Sequence, residues 1–177
     1  IIIMIILIQF SFFIYELAIE LSSALTSTTL TLINQNFFIL TSDNLANIGL
    51  ELVFFMFYLI VMLITTIILI IRYAIVAIGV VLFPISIFLY FIEPLRPYGL
   101  LLLNFLGVAI FVTFIDSIIL IGFSKLVEIS LFSNIKILVM ISAFSLLNAV
   151  MIFLMFFTII KSAVHFANKF SAFVGKL

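Results

Sequence analysis

The sequence predicts an all-α, polytopic integral membrane protein of about five transmembrane helices, followed by a C-terminal amphipathic helix. Three observations predict it. Two uncharged runs, Leu52–Ile71 and Tyr73–Ile92, each 20 residues long, flank a single Arg72. As helix at about 1.5 Å per residue, each run spans about 30 Å, the thickness of a bilayer's hydrocarbon core. Hydrophobic residues make up 68% of the 177-residue chain and charged residues 8%, whereas a soluble domain carries about 25% charged residues. With a mean hydropathy of +1.62, the chain has too little polar surface to face water, so lipid serves as its solvent. The third observation is the sharp punctuation Glu93-Pro94-Leu95-Arg96-Pro97-Tyr98-Gly99 between apolar stretches, where two prolines and a glycine enforce a turn.

The elements follow in order. The chain opens IIIMIILIQF, and residues 1–15 read as the end of a spanning helix whose beginning is missing. Neither a basic leader region nor a small-residue cleavage site is visible there. Glu16 and Glu20 then mark the exit from the membrane, on one helix face. Residues 22–47 form a polar loop with short helical pieces; its Phe37-Phe38-Ile39-Leu40 segment is able to dip back onto the membrane, and Ser42, Asp43 or Asn44 caps the next helix. Spans are expected near 48–71, 73–92, 99–123 and 137–160, with a turn at Arg72 and a kink near Pro84. Residues 1–160 thus form one transmembrane domain, and 161–177 a basic amphipathic tail.

Orientation by the positive-inside rule is undecided. The 22–47 loop has no Lys or Arg and is expected outside. Simple alternation then sets Arg72, Lys125 and Lys136 inside against Arg96, Lys161, Lys169 and Lys176 outside. A re-entrant 73–92 segment would improve that bias, although its length favours full spanning.

Few residues promise chemistry. The chain has no cysteine, which excludes disulfides, thiolate metal sites and cysteine nucleophiles. His165 is the only histidine and has no second ligand nearby in sequence, so no metal site is expected. No phosphate-binding glycine loop, H-E-x-x-H or G-x-S-x-G occurs. No catalytic residue, cofactor or small-molecule substrate is therefore expected, and the protein is read as not an enzyme. Tryptophan is absent, leaving Tyr15, Tyr58, Tyr73, Tyr90 and Tyr98 for any aromatic belt.

Asp116 is the one acid well inside a predicted span, where an ionised carboxylate costs about 2.5–3.5 kcal/mol on insertion scales. It serves either an ion relay or a structural pair, with Arg72 as the candidate partner and Asn104 or Asn148 as alternatives. Glu93, Pro94, Arg96 and Gly99 are assigned to stabilising the turn. In the tail, Lys161, His165, Lys169 and Lys176 fall in one narrow arc of a helical wheel, beside Phe166, Phe170, Phe173 and Leu177. Ala163, Ala167, Ser171 and Gly175 form a small-residue ladder. Such a helix lies on anionic lipid or packs closely on a neighbour.

The stretch from Arg72 to Lys125, reading R-YAIVAIGVVLF-P-ISIFLYFI-E-P-L-R-P-Y-G and then a long apolar helix with Asp116, resembles the TrbL-like polytopic inner-membrane subunits of type IV secretion and conjugation systems. It looks closest to the archaeal CedA-like DNA-import membrane proteins. The matching positions are Arg72, Pro84 and the turn at Pro94, Arg96 and Gly99; the tryptophan that bacterial members often carry after the turn is missing. The resemblance implies a structural subunit of an oligomeric DNA-translocating pore in the cell membrane, assembled with other membrane subunits and driven by a separate ATPase. The alternative is a subunit of a respiratory or ion-translocating complex, in an organelle inner membrane, with Asp116 in a proton path.

Overall fold

The computed structural model describes residues 2–39, 48–133 and 135–174, and every regular element among them is helical. α1 (Ile2–Gln9) and α2 (Ser11–Leu30) are followed by a 3-10 turn at Gln35–Phe38. α3 (Ile48–Phe91) leads through a 3-10 turn at Glu93–Leu95 into α4 (Arg96–Val127). A short α5 (Ser130–Ser133) precedes α6 (Lys136–Val174). Three helical stretches are long and apolar enough to cross a membrane: Leu52–Phe91, Glu93–Val127 and Lys136–Thr158. A fourth is possible if α1 and α2, bent by 53° at their junction, make one broken span. At that bend the buried Ser11 hydroxyl donates to the Ile8 carbonyl, 2.6 Å away, a local bond that competes with the helix ladder.

The turn expected at Arg72 is not formed. α3 runs unbroken through the two apolar runs, because residues 67–78 contain no glycine, proline, asparagine, aspartate or serine and arginine is a good helix former. Its 40-residue apolar part is about 60 Å long as straight helix, twice the hydrocarbon thickness. Gly79 and Pro84 both lie within the continuous helix. The polar loop is also shorter than expected, since α2 extends to Leu30; the proposed cap at Ser42, Asp43 or Asn44 lies outside the described residues. The tail is no separate helix: nothing between Lys136 and Val174 breaks the backbone, and α6 continues through it.

The chain divides into two compact units. The first comprises Ile1–Ser22, Arg72–Val112 and Phe153–Leu177. Its core is Tyr15, Leu106 and Ile110, packed by Ile75, Val76, Leu82 and Phe83 of α3. Two glycines permit close approach here. A side chain at Gly79 would strike the Tyr15 hydroxyl, and one at Gly99 would sit 2.7 Å from the Ser86 carbonyl oxygen and against the Tyr90 amide. Gly99 thereby lets the first turn of α4 fold back onto the end of α3.

The second unit comprises Ser23–Ile71 and Thr113–Ile152. Ile33, Phe37, Met140 and Ala143 form its core, with Tyr58, Leu120, Ile121 and Phe123 against them. Phe37 is almost fully buried in protein rather than dipping into lipid; Phe38, stacked edge-on at 5.0 Å, is exposed. The loop is held by hydrogen bonds as well as by packing. The Asn34 amide donates to Ser124 Oγ (3.0 Å) and the Asn34 side chain to Glu128 (3.3 Å).

The contrast between two glycines of α4 is testable. Gly99→Ala forces a Cβ against backbone that cannot yield and is expected to destabilise by about 1–3 kcal/mol, as overpacking does. A Cβ at Gly107 meets nothing within 4 Å, so Gly107→Ala is expected to stabilise by about 0.5–1 kcal/mol. Thermal unfolding of the two variants in the same detergent should move in opposite directions.

Candidate functional site

Within the first unit, the polar side chains of the apolar helices converge on backbone carbonyls. Arg72, near the middle of α3, donates from Nε to the Ala109 carbonyl (2.7 Å) and from Nη2 to the Ile110 carbonyl (3.0 Å). Both acceptors belong to α4. Ser22 of α2 donates to the same Ile110 carbonyl (2.7 Å). Tyr15, also of α2, donates its hydroxyl to the Val76 carbonyl of α3 (2.7 Å) and lays its ring 5.2 Å from that of Phe83. Three helices are thereby tied together, at points two turns apart along α2. The planar guanidinium suits this task because its fork reaches two successive carbonyls at once. With 1% of its surface exposed, Tyr15 is a core residue and no part of an aromatic belt, whereas Tyr73 is exposed.

Asp116 is buried in α4, 5% exposed, and falls in the second unit while Arg72 falls in the first. In that second unit, Asn148 of α6 points its amide at the Val61 carbonyl of α3 (3.5 Å), and Thr65 donates to the same carbonyl (2.9 Å). Asn104 is exposed. At the α3–α4 turn, Arg96 does not pair with Glu93. It donates to the Tyr90 hydroxyl (2.9 Å) with its guanidinium 4.7 Å over the same ring, while Glu93 is exposed. Pro94 sits at the start of the 3-10 turn, where its missing N–H costs nothing. Of the tail set, Lys161, His165 and Lys169 lie on the helical backbone of α6, but their side chains, and Lys176 altogether, lie outside the described residues.

Sequence reasoning missed the roles of Tyr15, Ser22 and Lys136. The only signal for Tyr15 was a glycine, Gly79, in the middle of an apolar helix, a position that marks close approach. Lys136 stands just before the span expected at 137–160 and enters only the count for orientation. It is buried, and its ammonium donates to the carbonyls of Asn36 and Ile39, closing the end of the 3-10 turn.

The chain matches no protein-family model, no curated protein and no solved structure. Function therefore has to be read from its own residues. Among the described residues no cluster of three or more His, Cys, Asp or Glu side chains is placed to hold a metal ion.

Two outcomes follow from these bonds. Arg72→Lys keeps the charge and loses the fork, with an expected cost of about 1.5–3 kcal/mol, the range for charged hydrogen bonds. Tyr15→Phe is expected to cost about 0.6 kcal/mol, the average for a hydrogen bond between helices in lipid. Unfolding titrations in bicelles would order them. Beyond the end of α4, Glu128 accepts from Lys125 (2.9 Å) and Asn34, bonds that hold its carboxyl below the usual 4.5. A lowered folded value stabilises above the unfolded pKa, and the benefit is lost as pH falls through the folded one. Glu128→Gln should thus speed exchange of the Asn34 amide at neutral pH, and the difference from the native chain should vanish well below pH 4.5.

Proposed function

We propose that this chain is a structural, non-enzymatic subunit of an oligomeric DNA-transfer pore of the type IV secretion and conjugation kind, built into the cell membrane and powered by a separate ATPase. The observation that carries this reading is the Arg72–Gly99 stretch. The residues that resemble the TrbL-like and archaeal CedA-like subunits lie in the α3–α4 hairpin: Arg72 reaching the carbonyls of α4, Pro94 in the 3-10 turn, and Arg96 and Gly99 in the first turn of α4 against the end of α3. A second feature supports assembly. Leu52, Phe55, Met56, Ile60, Leu63 and Ile67 leave most of the first half of α3 exposed around its circumference, surface that only lipid or other membrane helices can cover.

Burial of Asp116 within a candidate span favours one alternative, a subunit of a respiratory or ion-translocating complex with that carboxylate in the proton path. The two readings diverge on one substitution. In a DNA-transfer subunit, Asp116→Asn should weaken assembly and leave residual DNA uptake; in an ion-translocating subunit it should abolish proton coupling in reconstituted vesicles. Co-purification of the tagged chain with a secretion ATPase, together with loss of DNA uptake on deletion of its gene, is the result expected. Co-purification with respiratory subunits would overturn it.

A further inference from the structure

We propose that the second unit binds the phosphodiester headgroup of a phospholipid in a recess of ≈ 290 Å³ whose polar wall comes from Asn34, Asn36, Ser124, Glu128, Ser133 and Lys136 and whose apolar wall comes from Phe37 and Val127. The argument begins with Lys136. Its side chain belongs to a residue only 8% exposed, and buried charges are ordinarily paired. Two of its three ammonium protons go to the Asn36 and Ile39 carbonyls. Those are neutral acceptors, and Lys136 takes part in no ion pair among the described residues; the one ion pair there joins Lys125 to Glu128.

Charge then defines the ligand. Among the described residues Lys125 pairs with Glu128 and Lys136 has no anionic partner, so the Lys136 side of the recess favours a monoanion. A phosphodiester bears one negative charge and offers several acceptor oxygens. Lys136 and Asn36 both line the recess, and the third ammonium proton and the Asn36 side-chain amide are the donors these two residues have left.

Position selects lipid as the source. The recess opens where the candidate span Glu93–Val127 ends and Lys136–Thr158 begins, the depth at which headgroups lie. Basic pockets between membrane helices at this depth bind phospholipid heads. The inference requires only that the spans lie in lipid, and it stands whether or not the chain serves DNA transfer.

Native mass spectrometry of the full chain tests it. Delipidated protein in detergent is offered equimolar dioleoylphosphatidylglycerol and a galactolipid with the same acyl chains and no phosphate. One phosphatidylglycerol should be retained in preference. Lys136→Gln keeps two N–H donors for the loop carbonyls and loses the charge, and it should weaken that retention about tenfold, equivalent to about 1.4 kcal/mol. Lys136→Arg, which keeps the charge, should retain it, which also guards against a folding defect in Lys136→Gln. Equal retention by the native chain and Lys136→Gln, or equal retention of galactolipid, would overturn the proposal. Displacement by millimolar inorganic phosphate would show that the recess takes free phosphate, which overturns the lipid assignment.

Discussion

In lipid, apolar packing cannot tell one helix of this chain from another, because the acyl chains are as apolar as leucine. The pairings are instead specified where a polar side chain finds a carbonyl on another element. Arg72 on Ala109 and Ile110, Ser22 on Ile110, and Tyr15 on Val76 tie α2, α3 and α4 of the first unit. Lys136 on Asn36 and Ile39 fastens the loop of the second. Carbonyls are available for this because each has a second lone pair after its helix bond is made. The donors have no such freedom: left without an acceptor in hydrocarbon, each would cost several kcal/mol. A one-turn slip of α3 would offer these donors other carbonyls, but it would replace Gly79 with a side-chain-bearing residue against the Tyr15 hydroxyl, where even a Cβ has no room. The donors and this one glycine together thus set register for helices that are otherwise interchangeable in composition.

That division of labour explains what could be read in advance. The presence of helices long and apolar enough to cross a membrane followed from apolar run length, and a break near Pro94 followed from local chemistry, although the turn ends at Leu95 and Arg96, Pro97 and Gly99 already belong to α4. The break placed at Arg72 depended on assuming that a charge between two bilayer-length runs must leave the membrane. No helix-breaking residue stands there, and the guanidinium finds acceptors inside the protein, so α3 continues. The same local logic, with no breaker between Lys136 and Val174, carries α6 through what looked like a separate tail.

The candidate site was legible in its donors and not in its acceptors. Arg72 and Asp116 stand out in the sequence as charges among apolar residues. The groups that receive Arg72 are backbone atoms of Ala109 and Ile110, residues whose side chains carry no sign of the role. Tyr15 read as a belt tyrosine because tyrosine is amphipathic; its burial depends on Gly79, 64 positions away in sequence, leaving room for the hydroxyl. Lys136 read as a loop lysine because nothing in the pattern NQNFFI reveals that two of its carbonyls turn toward one point.

Arg72 and Asp116 are both charges in apolar helices, but helix geometry treats them unequally. A cation in a span is offered carbonyl lone pairs along the whole length of every neighbouring helix, so a long guanidinium can be satisfied by architecture alone. An ionised carboxylate is acceptor-only, and the amide protons of a helix interior are already committed to the ladder. It must look to side-chain donors, which are scarce where 68% of residues are hydrophobic. The arginine of α3 is thus explained by the fold that surrounds it. The aspartate of α4 can be met by backbone carbonyls only when it is protonated and donates, and for that reason Asp116, more than Arg72, is the residue on which the structural and ion-conducting readings of this protein separate.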